Sequence, residues 1–157
     1  MFELHIPWWE TFGRLLLAAF LGAILGWDRE AHSKPAGMRT FMMVALGATG
    51  ISLIANAMFE MLRHDTELYR GVDPTRLLEG IIGGIGFIGA GTIIRGQGHV
   101  EGITTAAGIW LTAAVGIAVG LGNYTLAITL TALALLVLMG AGYLTARPRE
   151  DEASDDK

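Results

Sequence analysis

The chain has no cysteine, which excludes a disulfide scaffold and any thiolate metal site. Charge is scarce too. Asp, Glu, Lys and Arg make up 17% of the 157 residues, where a soluble domain carries about 25%. The deficit is uneven and leaves long uncharged stretches, the pattern of a membrane protein. The opening MFELHIPWWE lacks the positive n-region of a cleavable signal, so the first apolar run is expected to stay as a membrane helix. His5, His32, His64 and His99 have no metal-ligand spacing. No nucleophile–base pair, phosphate loop or basic nucleic-acid patch emerges, so no catalytic residue, cofactor or nucleic-acid partner is expected. The net charge of −4 is outweighed by Glu150, Asp151, Glu152, Asp155 and Asp156 in the tail, and it implies no acidic or basic partner.

What the chain has is apolar length. Hydrophobic residues are 52% of it and the mean hydropathy is +0.49. Five segments approach the roughly 20 residues that cross hydrocarbon: about Thr11–Trp27, Thr40–Phe59, Leu77–Ile94, Ile103–Leu121 and Tyr124–Leu144. Trp8 and Trp9 form an interfacial belt ahead of the first. Only Gly122 and Asn123 separate the last two, which predicts a tight antiparallel hairpin. The expected fold is an all-α bundle of five transmembrane helices over residues 1–144, with a short acidic tail over 145–157 that is expected to be disordered. Arg29, Lys34, Arg39, Arg95, Arg147, Arg149 and Lys157 fall on one side, and Arg63, Arg70 and Arg76 on the other. That bias places the N-terminus outside and the C-terminus in the cytoplasm.

Glycine is concentrated in the third segment, where Gly80, Gly83, Gly84, Gly86, Gly89 and Gly91 fill six of twelve positions. Each costs a helix in water roughly 0.5–1 kcal/mol against Ala. In a bilayer the penalty for unpaired amides holds the helix, and glycine lets neighbouring helices approach closely. The run therefore predicts tight packing inside a bundle or a dimer, with a backbone-lined pore as the alternative. Gly22 and Gly26, Gly47 and Gly50, and Gly116 and Gly120 repeat small residues at similar spacing. Gly84-Ile85-Gly86-Phe87-Ile88-Gly89 matches GxGxxG, yet no strand precedes it and a membrane span surrounds it, so it is not a dinucleotide loop.

Charges at the span ends carry more information, because ionisable groups in a membrane are costly. Arg14 and Glu79 each lie one turn into a span near the outer face. They either pair or sit separately as a snorkelling Arg and an interfacial Glu. Asp28, Arg29, Glu30, Lys34, Arg39 and Arg95 gather at the inner ends of three spans, either as one polar cluster or as solvated helix ends. His32-Ser33-Lys34-Pro35-Ala36-Gly37-Met38 holds the turn formers Pro and Gly between them. Thr104, Thr105 and Thr112 are expected to bond backbone carbonyls, and Asn56 to bond a neighbouring helix.

In order, GWDREAHSKPAGMRT, VALGATG, GGIGFIGAGTIIR and VEGITTAAGIWLTAAVGIAVGLGNY resemble the membrane domain of the MgtC/SapB family over about Leu16 to Leu138. The resemblance implies a multi-pass protein of the bacterial inner membrane, in a bilayer, linked to growth in low magnesium and, in pathogens, to survival in macrophages. It implies a non-enzymatic regulator of ion or energy homeostasis that acts through membrane partners such as ATP synthase, or as a homodimer or other homo-oligomer. A transporter or channel for Mg²⁺ or another small ion is the alternative. The positions matching the family pattern are Asp28, Arg29, Glu30, Lys34, Gly37, Arg39, Gly86, Gly89, Gly91, Thr104, Thr105 and Trp110. Asp28 stands where many members have Glu, and the acidic tail stands where virulence-associated members carry a folded cytoplasmic domain.

Overall fold

The computed structural model describes residues 6–64, 73, 75–96 and 99–145. The acidic tail and the loop from 65 to 72 lie outside the described residues. Five helices account for most of the fold: α1 (Trp8–Ala31), α2 (Met38–His64), α3 (Thr75–Gly91), α4 (Ile103–Gly120) and α5 (Tyr124–Thr145). Between α3 and α4 a small antiparallel hairpin pairs β1 (Ile94–Arg95) with β2 (Val100–Glu101). The third apolar segment thus leaves the helix before Ile94, which lies in β1.

Local chemistry sets each boundary. Pro7, with φ near −63°, starts α1, and its carbonyl accepts from the amides of Glu10 and Thr11. At the other end Ser33 takes φ 51°, while the Lys34 amide bonds the Arg29 carbonyl and the Ser33 amide that of Glu30. This is a Schellman cap, with Pro35 following to prevent continuation. Gly122 closes α4 in the same way at φ 79°, with Asn123 N–H on the Ala118 carbonyl. The Asn123 side chain then accepts the Leu126 amide at 3.1 Å and caps α5. The two-residue connection expected from the sequence is therefore a C-cap and an N-cap back to back. Gly102, at φ 89°, turns the hairpin into α4, and a Cβ there would lie 1.9 Å from the Thr92 carbonyl oxygen.

Glycine contacts fix the course of the helices. Gly22 and Gly26 of α1 meet Phe41, Ala45 and Met38 of α2, so these two helices run antiparallel. Gly108, Gly116 and Gly120 of α4 meet Phe41, Ala45 and Ser52 in ascending order, so α2 and α4 run parallel. Gly89 of α3 meets Ala106 of α4, which makes α3 antiparallel to both. α2 and α4 form the centre, where Phe41, Ala45, Ile109, Val115 and Val119 are fully buried. The Thr49 hydroxyl joins them by donating to the Gly116 carbonyl at 2.9 Å.

The glycine-rich α3 stands outside the central pair of α2 and α4. It lies at the edge, buried only at Ile81 and Gly89. A Cβ at Gly80, Gly83, Gly84, Gly86 or Gly91 would meet nothing within 4 Å. The close packing expected of this run is made within the chain at Gly89 and instead by Gly22, Gly26, Gly116 and Gly120. Gly47 and Gly50 are open as well. Trp8, Trp9, Phe20, Trp27 and Leu136 point outward, as lipid-facing side chains do. α1, α2 and α4 are long and apolar enough to cross a membrane; α3 has 17 residues.

Candidate functional site

One end of the bundle collects the close of α1, the start of α2, the hairpin after α3 and the start of α4. Here Arg29 is buried, 8% exposed. Its guanidinium curls back onto Asp28, with Nε 2.9 Å from Oδ2 and Nη2 on the same oxygen. His32, one turn on, sets Nδ1 2.7 Å from the Asp28 carbonyl oxygen and 3.5 Å from Oδ1. Glu30 does something different. Its Oε2 accepts the Met38 amide at 2.9 Å, capping the start of α2 from the preceding helix. A side chain at residue 37 would block that carboxylate, since a Cβ on Gly37 would lie 2.8 Å from Oε2. The α1 triplet and the following loop therefore interlock: Asp28 holds Arg29 and His32, and Glu30 reaches through the space left by Gly37.

The other three charges expected in this cluster stand apart from it. Lys34, Arg39 and Arg95 are exposed, and no hydrogen bond or ion pair links their side chains to an acidic group among the described residues. Arg39 faces the groove between α2 and α3, and Arg95 lies on β1 opposite Val100. The network is thus smaller than the sequence suggested. Charge spacing along the chain gives helix-end proximity but not the direction in which a long side chain leaves the helix.

At the opposite end Arg14 pairs with Glu10 at 2.5 Å, not with Glu79. Its Nη1 donates to the Gly120 carbonyl at 2.7 Å, and the guanidinium lies 5.9 Å from the centre of the Tyr124 ring. Glu79 is exposed on α3. Arg14 therefore ties α1 to the end of α4 by taking up a carbonyl that the helix leaves without a partner. The i, i+4 spacing of Glu10 and Arg14 was the signal that could have identified this pair. Asp73 accepts the hydroxyl of Thr75 at 2.6 Å and its amide at 3.0 Å. Those bonds, with Arg76 adding attraction, hold its carboxyl below the ordinary value.

Inside the bundle, the hydroxyls of Thr49, Ser52, Thr112 and Thr131 are tied to carbonyls, whereas the bonds expected of Thr104 and Thr105 are not formed among the described residues. Ser52 donates to Ala48 at 2.7 Å, Thr112 to Gly108 at 2.8 Å and Thr131 to Ala127 at 2.9 Å. Thr105 is buried, whereas Thr104 and Trp110 are exposed. Among the described residues no three His, Asp or Glu side chains gather as metal ligands would.

The MgtC family profile matches residues 15–147. The chain belongs to the MgtC family. Over 139 residues it is 38% identical to YhiD of Escherichia coli (strain K12), named as a candidate magnesium transporter, covering 88% of this chain and 63% of that protein. It is 39% identical to protein SapB of Bacillus subtilis (strain 168), covering 71% of this chain and 47% of SapB. It is 37% identical to protein MgtC of Salmonella typhimurium (strain LT2), covering 77% of this chain and 48% of MgtC. The chain thus spans between about half and two thirds of the length of these relatives. No solved structure matches it. Family membership and three helices of membrane length make this MgtC-family chain a multi-pass membrane protein. The interlocked Asp28–Arg29–Glu30 triplet and Gly37 fall inside the matched region, as do Arg39 and the whole of α3.

Proposed function

We propose that this chain is a five-span protein of the bacterial inner membrane that regulates Mg²⁺ or energy homeostasis without catalysis, through contacts with other membrane proteins. α3 and α5 complete the crossings, in a single membrane domain. The end carrying Arg29, Lys34, Arg39 and Arg95 is cytoplasmic under the positive-inside bias, with the N-terminus outside.

The observation that carries the regulatory reading is the open face of α3. At i, i+3 and i+7, Gly83, Gly86 and Ala90 share one side of the helix. Neither glycine has a neighbour where a Cβ would lie, and the adjoining Phe87 is 82% exposed. Small residues beside a protruding aromatic suit a second helix approaching closely in lipid. The partner is a second copy, in a homodimer or larger homo-oligomer, or another membrane protein such as ATP synthase. The bonded hydroxyls of the interior also support this reading, because Mg²⁺ surrenders its water only to well-placed oxygen ligands. Gly86→Leu should abolish the oligomer or the co-purified membrane partner in mild detergent while leaving the melting temperature of the detergent-solubilised monomer unchanged. Recovery of the wild-type protein from magnesium-limited cells only as a lone monomer would end this reading.

A second reading, passage of Mg²⁺ or another small ion, rests on the name of the E. coli relative. It requires a hydrated path between protomers. Ion-dependent flux in proteoliposomes would establish it, and absence of flux would remove it.

A further inference from the structure

A groove of about 820 Å³ runs between α2 and α3, walled by Gly47, Ile51, Gly80, Ile81, Gly84 and Ile88. Arg39 and Thr40 stand at one end and Arg76 at the other, because α2 and α3 are antiparallel. From Arg39 to Ile51 the groove extends roughly 18 Å at 1.5 Å per residue. On α3 it runs from Arg76 to Ile88, along most of that helix. Cβ atoms added at Gly47, Gly80 and Gly84 would meet nothing within 4 Å, so the floor is open along its length.

The two ends differ in charge balance. Arg76 acts on the carboxylate of Asp73, so a cation and an anion sit together there. Arg39 is exposed and has no acidic partner among the described residues. An unpaired guanidinium at one end of an apolar slot roughly 18 Å long matches the chemistry of an anionic phospholipid, a charged head on an apolar chain. We propose that this groove holds an acyl chain of such a lipid, with its phosphate paired to the Arg39 guanidinium and within reach of the Thr40 hydroxyl. A second copy seated on the same groove is disfavoured. A two-fold axis along the membrane normal would bring the two Arg39 side chains to the same depth, each without a counter-charge. The site goes beyond the proposed function and is independent of whether the chain regulates or transports.

The test uses the full chain, delipidated in a neutral detergent and followed by thermal unfolding. Phosphatidylglycerol should raise the melting temperature saturably. Phosphatidylcholine with the same acyl chains should need at least about ten times the concentration, the factor corresponding to about 1.4 kcal/mol, and glycerol phosphate alone should do nothing. Arg39→Gln should melt normally without lipid and respond to phosphatidylglycerol only as the wild type responds to phosphatidylcholine. Gly47→Leu, which fills the floor, should weaken both lipids. Arg76→Gln should keep the preference. Native mass spectra of the wild type mixed with both lipids should retain phosphatidylglycerol. An equal response to the two lipids, stabilisation by glycerol phosphate alone, or an unaltered preference in Arg39→Gln would overturn the assignment.

Discussion

Adding one methyl group to α4 at Gly116 and one to α3 at Gly86 should shift stability in opposite directions. At Gly116 the new Cβ would lie 2.6 Å from the Ala45 carbonyl oxygen and 2.9 Å from the Ala48 Cβ, where ordinary contact begins at 3.4 Å. The nearest obstacle is backbone, so no side-chain rotation relieves it, and α4 must move away from α2. That movement also loosens the Thr49 hydroxyl from the Gly116 carbonyl, now at 2.9 Å. Overpacking costs about 1–3 kcal/mol, and the lost hydrogen bond about 0.5–1.5 kcal/mol. Helix propensity returns at most about 1 kcal/mol. Gly116→Ala should therefore lose roughly 2 kcal/mol, a fall of about 4–8 °C for a chain of this length. At Gly86 nothing opposes the methyl group. Gly86→Ala should leave the melting temperature of the detergent-solubilised monomer unchanged or raise it by up to about 4 °C through propensity alone. Equal losses in the two variants, or no loss at Gly116, would refute the assignment of α4 to the centre and α3 to the edge.

Removing Arg14 should expose which carboxylate it serves. Arg14→Ala leaves the Gly120 carbonyl without its charged donor and should cost about 1.5–3 kcal/mol, while Glu79→Gln should melt like the wild type; equal destabilisation by both would restore the Arg14–Glu79 pair. Asp28→Ala leaves the Arg29 guanidinium buried without a counter-charge, and about 3 kcal/mol should be lost in chemical unfolding. A loss within 0–1 kcal/mol would place Arg29 in water, as a surface pair. The carboxyl of Asp73 is held below the ordinary value, so its contribution is present above the unfolded-state value and disappears as pH falls through the lower folded value. Asp73→Asn should flatten that acid limb of melting temperature against pH, and an identical limb in the variant would show that Asp73 does not titrate as argued.

Much of the helical framework was legible from apolar length. The five helices fall on the five segments, and Gly122-Asn123 makes the turn because one residue tolerates positive φ while the other caps a helix. The family was legible in the ordered motifs. Packing order was less so. α3 has the most conspicuous glycine run and the fewest intrachain contacts for it, whereas isolated glycines at 22, 26, 116 and 120 face backbone. Composition reports how close another helix is able to come, but the identity of that helix depends on orientation around the axis. The charges show the same limit. Glu30 caps α2 and Arg29 turns onto Asp28, but Arg39 and Arg95, equally near in the expected topology, take no part.

The outcome for Arg39 is what gives the groove its meaning. Had it closed onto Glu30, the α2–α3 slot would keep only the end where Arg76 is balanced by Asp73, with no unpaired cation. Instead Glu30 is occupied by the Met38 amide, and Gly37 holds it there by leaving room for the carboxylate. Asp28 is occupied by Arg29 and His32. The partners that Asp28 and Glu30 take are thus Arg29, His32 and the Met38 amide, and Arg39 is not among them. Arg39→Ala should therefore leave the fold intact, within about 0.5 kcal/mol of the wild type as expected for an unpaired surface site. Glu30→Ala should cost about 0.5–2 kcal/mol through the lost cap. If Arg39→Ala proved the more destabilising of the two, Arg39 would belong to the network and the groove would lose its anchor.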